Sequence, residues 1–308
     1  MGHQAAALLG LVESLRLEVQ RARRGAPAAE RVAWLLWERW VSEIVADLYS
    51  IARVGVSSTM GLIGLVSLPR AFVFRIAADD PHPFAWIRVQ LSCAFGDALY
   101  PHPQWRQLAL LWSSFYPPRG LGAGRIGVIG ALLATMPSYV RLVLDHRPAS
   151  LRGHTVGEVF RTADRSPARL ARRYAAWQAS PSAIRRTRPA LAFAVVGQAR
   201  ADGLLTPEAE DRLLGWLISY WALRSTLDVN AQITDLSGGL PLVPAAGRLG
   251  AAGLGGRAPA RLGRTAPRPV PAAVTWPAAT PLAARAGWHR PVHRTPNHEM
   301  RSHPRWSR

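Results

Sequence analysis

The sequence predicts an all-α protein, with a multi-helix globular domain over 1–237 and a disordered C-terminal tail over 238–308. Apolar residues recur at the helical period of about 3.6 residues as far as Asp228, and no stretch alternates as a strand would. A second observation is that proline follows serine or threonine at three places within 1–237, an arrangement typical of helix starts. These prolines are Pro167, Pro181 and Pro207.

Each helix boundary is predicted from a glycine, a proline or a polar cap. Gly25 and Gly55 end the first two helices, and the run 80–83 caps the start of a later one. Residues 56–77 are strongly apolar, which predicts a buried helix or a helix pair broken at Pro69. The predicted helices cover 4–24, 28–54, 84–98 and 124–145, begin after Pro103 and at Pro167 and Pro181, and end with 207–227.

The tail differs in composition from the helical domain. Residues 238–308 contain eleven prolines, eleven arginines and a single acidic residue, Glu299. Without apolar periodicity such a segment buries too little surface to offset its ordering entropy, which predicts disorder. Arginines interspersed with tryptophans also suit weak, non-specific contact with single-stranded nucleic acid.

The net charge of +19 does not by itself indicate a nucleic-acid-binding protein. All 38 basic residues are arginine, and alanine, glycine and proline are also abundant. These residues share GC-rich codons, so a GC-rich coding sequence explains the bias without selection for binding. The charge still creates an attractive field for anions.

The sequence favours a cytoplasmic protein without a membrane partner. Cys93 is the single cysteine, which excludes an intrachain disulfide and fits a reducing compartment. The N-terminus lacks the basic and apolar regions of a signal peptide. The apolar stretch 54–78 contains Pro69, Arg70 and Arg75 and offers no clean run long enough to span a bilayer.

Two carboxylates, Glu43 and Asp47, stand out within the predicted helix 28–54. Their four-residue spacing places them on one helical face, beside Leu36 and Trp40. A carboxylate with apolar neighbours must be paired, hydrogen-bonded or bound to a metal, because desolvating an unpaired charge is costly. A half-exposed face and pairing with an arginine are the structural alternatives.

The run Glu-Ile-Val-Ala-Asp at 43–47 resembles the second metal motif of gluzincin zinc metallopeptidases. Those enzymes carry HExxH on one helix and ExxxD, often Glu-x-x-Ala-Asp, on a later one. Met1-Gly2-His3 matches the last three positions of the form His-Glu-x-Gly-His. Over about the first 60 residues, the resemblance implies that His3 is the second zinc histidine, that Glu43 is the third ligand and that Asp47 supports a histidine by hydrogen bonding.

The chain departs from the motif at two positions, because it lacks the first zinc histidine and the general-base glutamate. We therefore expect weak zinc binding or none, and the resemblance does not predict peptidase activity for the chain as given. A start codon placed too late and a truncated relic that keeps the fold both explain the departure. The alternative function is a non-catalytic helical interaction or structural protein of a bacterial assembly, with a protein partner that the sequence does not identify.

His82 lies in a Pro-His-Pro triplet at 81–83, which recurs around His102 at 101–103. A functional interpretation puts His82 at the rim of the site, where it stabilises an oxyanion. The structural alternative is that proline fixes the turn before a helix and leaves the histidine exposed.

Overall fold

The structure is a computed structural model that describes residues 2–77 and 79–237, and the tail predicted over 238–308 lies outside them. The described residues form helices and connecting turns without a strand, so the predicted all-α class is confirmed. The α-helices are α1 (Gly2–Leu8), α2 (Leu11–Gly25), α3 (Arg31–Val54), α4 (Val56–Val66), α5 (Arg70–Val73), α6 (Ala85–Leu99), α7 (Pro103–Phe115), α8 (Ala123–Asp145), α9 (Val156–Phe160), α10 (Pro167–Ala179), α11 (Ser182–Arg185), α12 (Pro189–Ala201) and α13 (Pro207–Ser237).

The core is built around α3. Trp37, Val41, Ile44 and Leu48 are all fully buried, because they recur at helical spacing on one side of this helix. The Trp37 ring stacks on Tyr139 of α8 with 4.7 Å between ring centroids. Each large side chain buried in this way stabilises the fold by roughly 1.5–3 kcal/mol.

The predicted first helix, 4–24, is instead two helices. Gly10 adopts a left-handed conformation with φ +57°, which ends α1 and starts α2 in a new direction. Glycine adopts this conformation without the steric cost that a Cβ would bring. The break lets α1 and α2 each pack separately on α3.

Polar side chains connect α3 to its neighbours at several points. Glu38 accepts a hydrogen bond from Gln20 at 2.7 Å and pairs with Arg23 of α2 at 3.0 Å. The Trp37 indole donates to Thr135 of α8 at 2.9 Å. The Tyr100 hydroxyl, just after α6, donates to the backbone of α3. These contacts fix the position of the helix that carries both carboxylates.

Segment 56–77 is the second of its two predicted arrangements, a helix pair broken at Pro69, and α4 is only partly buried. Only Val56 and Thr59 of this helix are buried, although nearly all of its residues are apolar or small. The chain does break at Pro69, after which α5 begins at Arg70. In the later half of α4, Leu62, Ile63 and Val66 are half-buried against the core, whereas Leu65 is 75% exposed.

Helix α8 is the one helix in the described part of the chain that is long and apolar enough to cross a membrane. Only 39% of its most apolar window is buried within the fold. Pro137 lies inside this helix, where it removes a backbone donor from the hydrogen-bond ladder. Length and composition alone do not make α8 a membrane span, since its buried side carries Tyr139 in the core.

Three further helix boundaries agree with the prediction to different degrees. Helix α10 begins at Pro167 as predicted, whereas α11 starts after Pro181 and is only four residues long. Helix α13 continues past the predicted end at 227 to Ser237.

Cys93 is buried, as expected for a small apolar side chain, and burial raises the pKa of its thiol to about 12.

Candidate metal site centred on Glu43

The close approach of α1 to α3 creates the candidate site. A Cβ on Gly2 would lie 2.8 Å from Cα and the carbonyl oxygen of Ala46, closer than real Cβ contacts. A side chain at this position would have to push the two helices apart, because the obstacle is backbone. The glycine and alanine together set the distance at which the side chains that follow them meet.

His3 and Glu43 meet across this junction. His3 Nε2 lies 3.4 Å from Glu43 Oε1, and His3 Nδ1 shares a hydrogen bond with the Ser42 hydroxyl at 3.4 Å. The Glu43 side chain is 17% exposed, whereas that of His3 is 55% exposed. The carboxylate is therefore largely withdrawn from water, and the imidazole covers it from the solvent side.

His82 approaches the other oxygen of the same carboxylate. It lies in the loop before α6, and its Nε2 is 3.4 Å from Glu43 Oε2. Its Nδ1 and its backbone amide both contact Asp80 Oδ1 at 2.9 Å. These hydrogen bonds lower the pKa of the Asp80 carboxyl, with the backbone amide of His82 as the largest cause. Because Asp80 engages Nδ1, the ring directs Nε2 toward Glu43.

Asp47 has a different partner from the histidine that the resemblance implies. Arg88 of α6 donates from Nε to Asp47 Oδ2 at 2.6 Å and from Nη2 to Oδ1 at 2.8 Å. This is the two-pronged geometry in which a guanidinium binds a carboxylate most strongly. The hydrogen bond to Asp47 raises the pKa of Arg88. Asp47 is therefore paired with an arginine, which is one of the structural alternatives that the sequence left open.

Arg88 also reaches toward Glu43, since its Nη2 lies 3.9 Å from Glu43 Oε2. One cation thus faces two carboxylates that project from successive turns of α3. The side chains of Arg88 and Asp47 are 19% and 25% exposed, so the pair is partly shielded from solvent. Its attraction should be stronger than that of a fully exposed ion pair.

The donor geometry suits a metal only in part. Two ligands of one tetrahedral zinc are about 3.3 Å apart, given bonds of roughly 2.0–2.1 Å. The His3–Glu43 and Glu43–His82 separations of 3.4 Å are close to that value. Within residues 2–77 and 79–237, however, no group of three or more histidine, cysteine, aspartate or glutamate side chains is arranged to hold a metal ion. His3 and Glu43 therefore supply a pair of donors and not a complete site.

The structure thus brings together three of the residues that the sequence singles out: His3, Glu43 and His82. Sequence reasoning missed Arg88 and Asp80. Arg88 carried a usable signal, because it is the one full charge in the apolar run 84–96. A charge in such a setting needs a partner for the same reason that Glu43 and Asp47 do.

Comparison of the chain with protein-family models, with curated proteins and with solved structures found no match. What the site can do must therefore be argued from its own residues.

Proposed function

We propose that this protein is a gluzincin-like helical domain in which His3 and Glu43 are two ligands of a zinc site that is incomplete in the chain as given. The observation that carries the proposal is the 3.4 Å approach of His3 Nε2 to Glu43 Oε1 across the α1–α3 junction. Such a pair is expected if Met-Gly-His and Glu-x-x-Ala-Asp are parts of one motif. The Gly2–Ala46 contact supports the same interpretation, because it involves the small residues of both parts.

In this proposal each neighbouring side chain has a separate role. His3 and Glu43 hold the metal, and Asp80 orients His82 at the rim of the site. Arg88 binds Asp47 and keeps that carboxylate from competing for the ion. Bound zinc supplies a Lewis acid that polarises a carbonyl group and lowers the pKa of water. The chain as given has no general-base glutamate in the motif, so we expect no peptide hydrolysis from it.

The test is a zinc titration by calorimetry of the chain as given and of a variant with His-Glu added before Met1. A two-ligand site binds zinc weakly, and the added histidine should raise affinity by roughly tenfold or more. In the extended variant Glu43→Gln should lower affinity by a similar factor. Glu13→Gln is the matched control, because Glu13 is an exposed carboxylate on α2 with 78% of its side chain accessible.

Equal zinc affinities for the Glu43→Gln and Glu13→Gln forms of the extended variant would exclude Glu43 as a ligand and overturn the proposal. The proposal would also fail if adding His-Glu left zinc affinity unchanged. Either result would leave Glu43 as a carboxylate that pairs with His3 and His82 for structural reasons alone.

A second candidate is the non-catalytic helical interaction protein that the sequence left open. The observation that favours it is the set of exposed apolar side chains on α4, α5 and α7, which the core does not use. Single exposed apolar residues are ordinary, but a contiguous group indicates an interaction surface. The proposed contact with nucleic acid through the tail concerns residues outside the described part of the chain.

A further inference from the structure

The ends of α4, α5 and α7 form one exposed apolar surface, which does not depend on the proposed metal site. The Tyr116 hydroxyl donates to the Leu68 carbonyl at 3.0 Å, joining the end of α7 to the α4–α5 turn. Arg70 of α5 donates to the carbonyls of Pro117 and Arg119 at 2.5 Å. These hydrogen bonds hold the three segments together. Their large apolar side chains that are between 45% and 75% exposed, here called the apolar surface, are Leu65, Leu68, Phe72, Leu110, Leu111 and Phe115.

The segments that carry the apolar surface contain arginines and no acidic residue. The stretches 48–78 and 98–144 contain no aspartate or glutamate and seven arginines. Two of these arginines, Arg70 and Arg119, lie on the segments that carry the apolar surface. The remaining arginines of the two stretches are Arg53, Arg75, Arg106, Arg125 and Arg141. Cations beside an exposed apolar group are the combination that binds an anionic lipid surface.

The serine and tyrosine side chains beside the apolar surface are already engaged within the fold. Ser67 donates to the Ile63 carbonyl, and Ser114 donates to the Leu111 carbonyl. Tyr116 and Arg70 are engaged by the bonds described above. A specific protein partner is usually oriented by hydrogen bonds at the rim of its interface. The apolar surface and the positive charge of the arginines beside it remain available to a partner. Apolar side chains and positive charge are sufficient to bind acyl chains and anionic lipid headgroups.

Helix α8, which follows these segments in the chain, is also apolar and incompletely buried. It begins directly after the loop that Arg70 binds, and it is apolar enough for a membrane although only 39% of its most apolar window is buried. Its first turn carries Arg125 and the exposed Ile126. We propose that the apolar surface docks peripherally on an anionic phospholipid bilayer, with the arginines at headgroup level. This inference departs from the sequence-based expectation that the protein has no membrane partner.

Fluorescent labelling at single engineered cysteines of the full chain tests the proposal. Ser67→Cys places a probe on the apolar surface, and Ser219→Cys on α13 is the matched control. Both serines are exposed and both hydroxyls donate to the carbonyl four residues earlier. The native Cys93 is buried and should not react. With vesicles containing about 30 mol % phosphatidylglycerol, the probe at 67 should shift to the blue and be quenched from within the bilayer, while the probe at 219 should not.

Substitution of the apolar surface supplies the second measurement. The double change Leu65→Ser with Phe72→Ser should lower vesicle partitioning by roughly tenfold or more, since two exposed apolar side chains are lost. The control is Leu223→Ser with Leu227→Ser on α13, where the side chains are 68% and 67% exposed, and it should partition like the unsubstituted chain. All of these positions are exposed, so the fold should survive each change.

Four results would overturn the proposal. Equal responses of the probes at 67 and 219 would place vesicle binding elsewhere, as would equal partitioning of the two double variants. An equal response to vesicles of neutral phosphatidylcholine would exclude the role of the arginines. A blue shift at 67 that rises with protein concentration in the absence of vesicles would identify a second copy of the chain as the occupant.

Discussion

Replacing Arg88 by methionine should destabilise the domain, because Arg88 makes two charge-assisted hydrogen bonds to Asp47. Such bonds contribute roughly 1.5–3 kcal/mol each when a charged group is involved. The side chains are 19% and 25% exposed, so the pair lies between exposed ion pairs, at about 0.2–1 kcal/mol, and buried ones, at about 3–5 kcal/mol when broken. We expect Arg88→Met to lower the free energy of unfolding by about 2–4 kcal/mol.

Part of this loss comes from repulsion between Glu43 and Asp47 across one helical turn, which Arg88 would no longer offset. For a domain of this size each kcal/mol lowers the melting temperature by roughly 2–4 °C, which gives a decrease of about 4–16 °C. The assay is urea unfolding at neutral pH, followed by far-ultraviolet circular dichroism. Unfolding should remain cooperative with an unchanged dependence on urea, because no apolar surface is exposed.

A double-mutant cycle isolates the interaction from other effects of either change. Asp47→Asn, Arg88→Met and the double variant should give a coupling energy of about 1.5–3 kcal/mol. The matched control is the Glu13–Arg16 pair on α2, where the side chains are 78% and 36% exposed and the coupling should stay below about 1 kcal/mol. Equal coupling energies in the two cycles would refute the argument that partial burial strengthens the Asp47–Arg88 pair.

Two further predictions concern the core and its pH dependence. Trp37→Ala should lower the free energy of unfolding by roughly 3–5 kcal/mol, and an unchanged melting temperature would show that α3 does not carry the core. Burial lowers the pKa of His146 from its usual 6.5, so the unfolded state binds its proton first and stability should fall as pH decreases below that value. His146→Asn should weaken this decrease in denaturant titrations across the same pH range, and an identical pH profile would contradict it.

The part of the fold that follows from sequence is the part with strong helical periodicity. Helix α3 satisfies several requirements at once, because its apolar positions, its end at Gly55 and its length all indicate the same element. Gly10 shows the limit of such reasoning, since glycine is tolerated within helices and only packing against α3 decides that the chain turns there. The exposure of Leu65 on α4 could not be predicted either, because an apolar helix normally indicates burial.

The candidate site was only partly predictable, for a different reason. The spacing of Glu43 and Asp47 places both on one helical face. It does not predict which of the many arginines pairs with Asp47, and the partner, Arg88, is 41 residues away in sequence. That choice depends on how α6 crosses α3, which is a property of the packed core. The approach of His82 to Glu43 depends on the same crossing, together with the Asp80 hydrogen bond that fixes the ring.

Asp47 and Glu43, the two carboxylates of α3, have different partners. This difference affects which substitutions the sequence can accumulate. Asp47 and Arg88 compensate each other, so purifying selection for a folded domain is enough to retain both. Glu43 faces two half-exposed imidazoles, so we expect a folded domain to tolerate replacement of that trio. In a library of random variants sorted only for solubility, positions 47 and 88 would stay fixed while positions 3, 43 and 82 diversify. If natural selection had retained all five residues together, this would indicate selection for ligand binding in addition to folding.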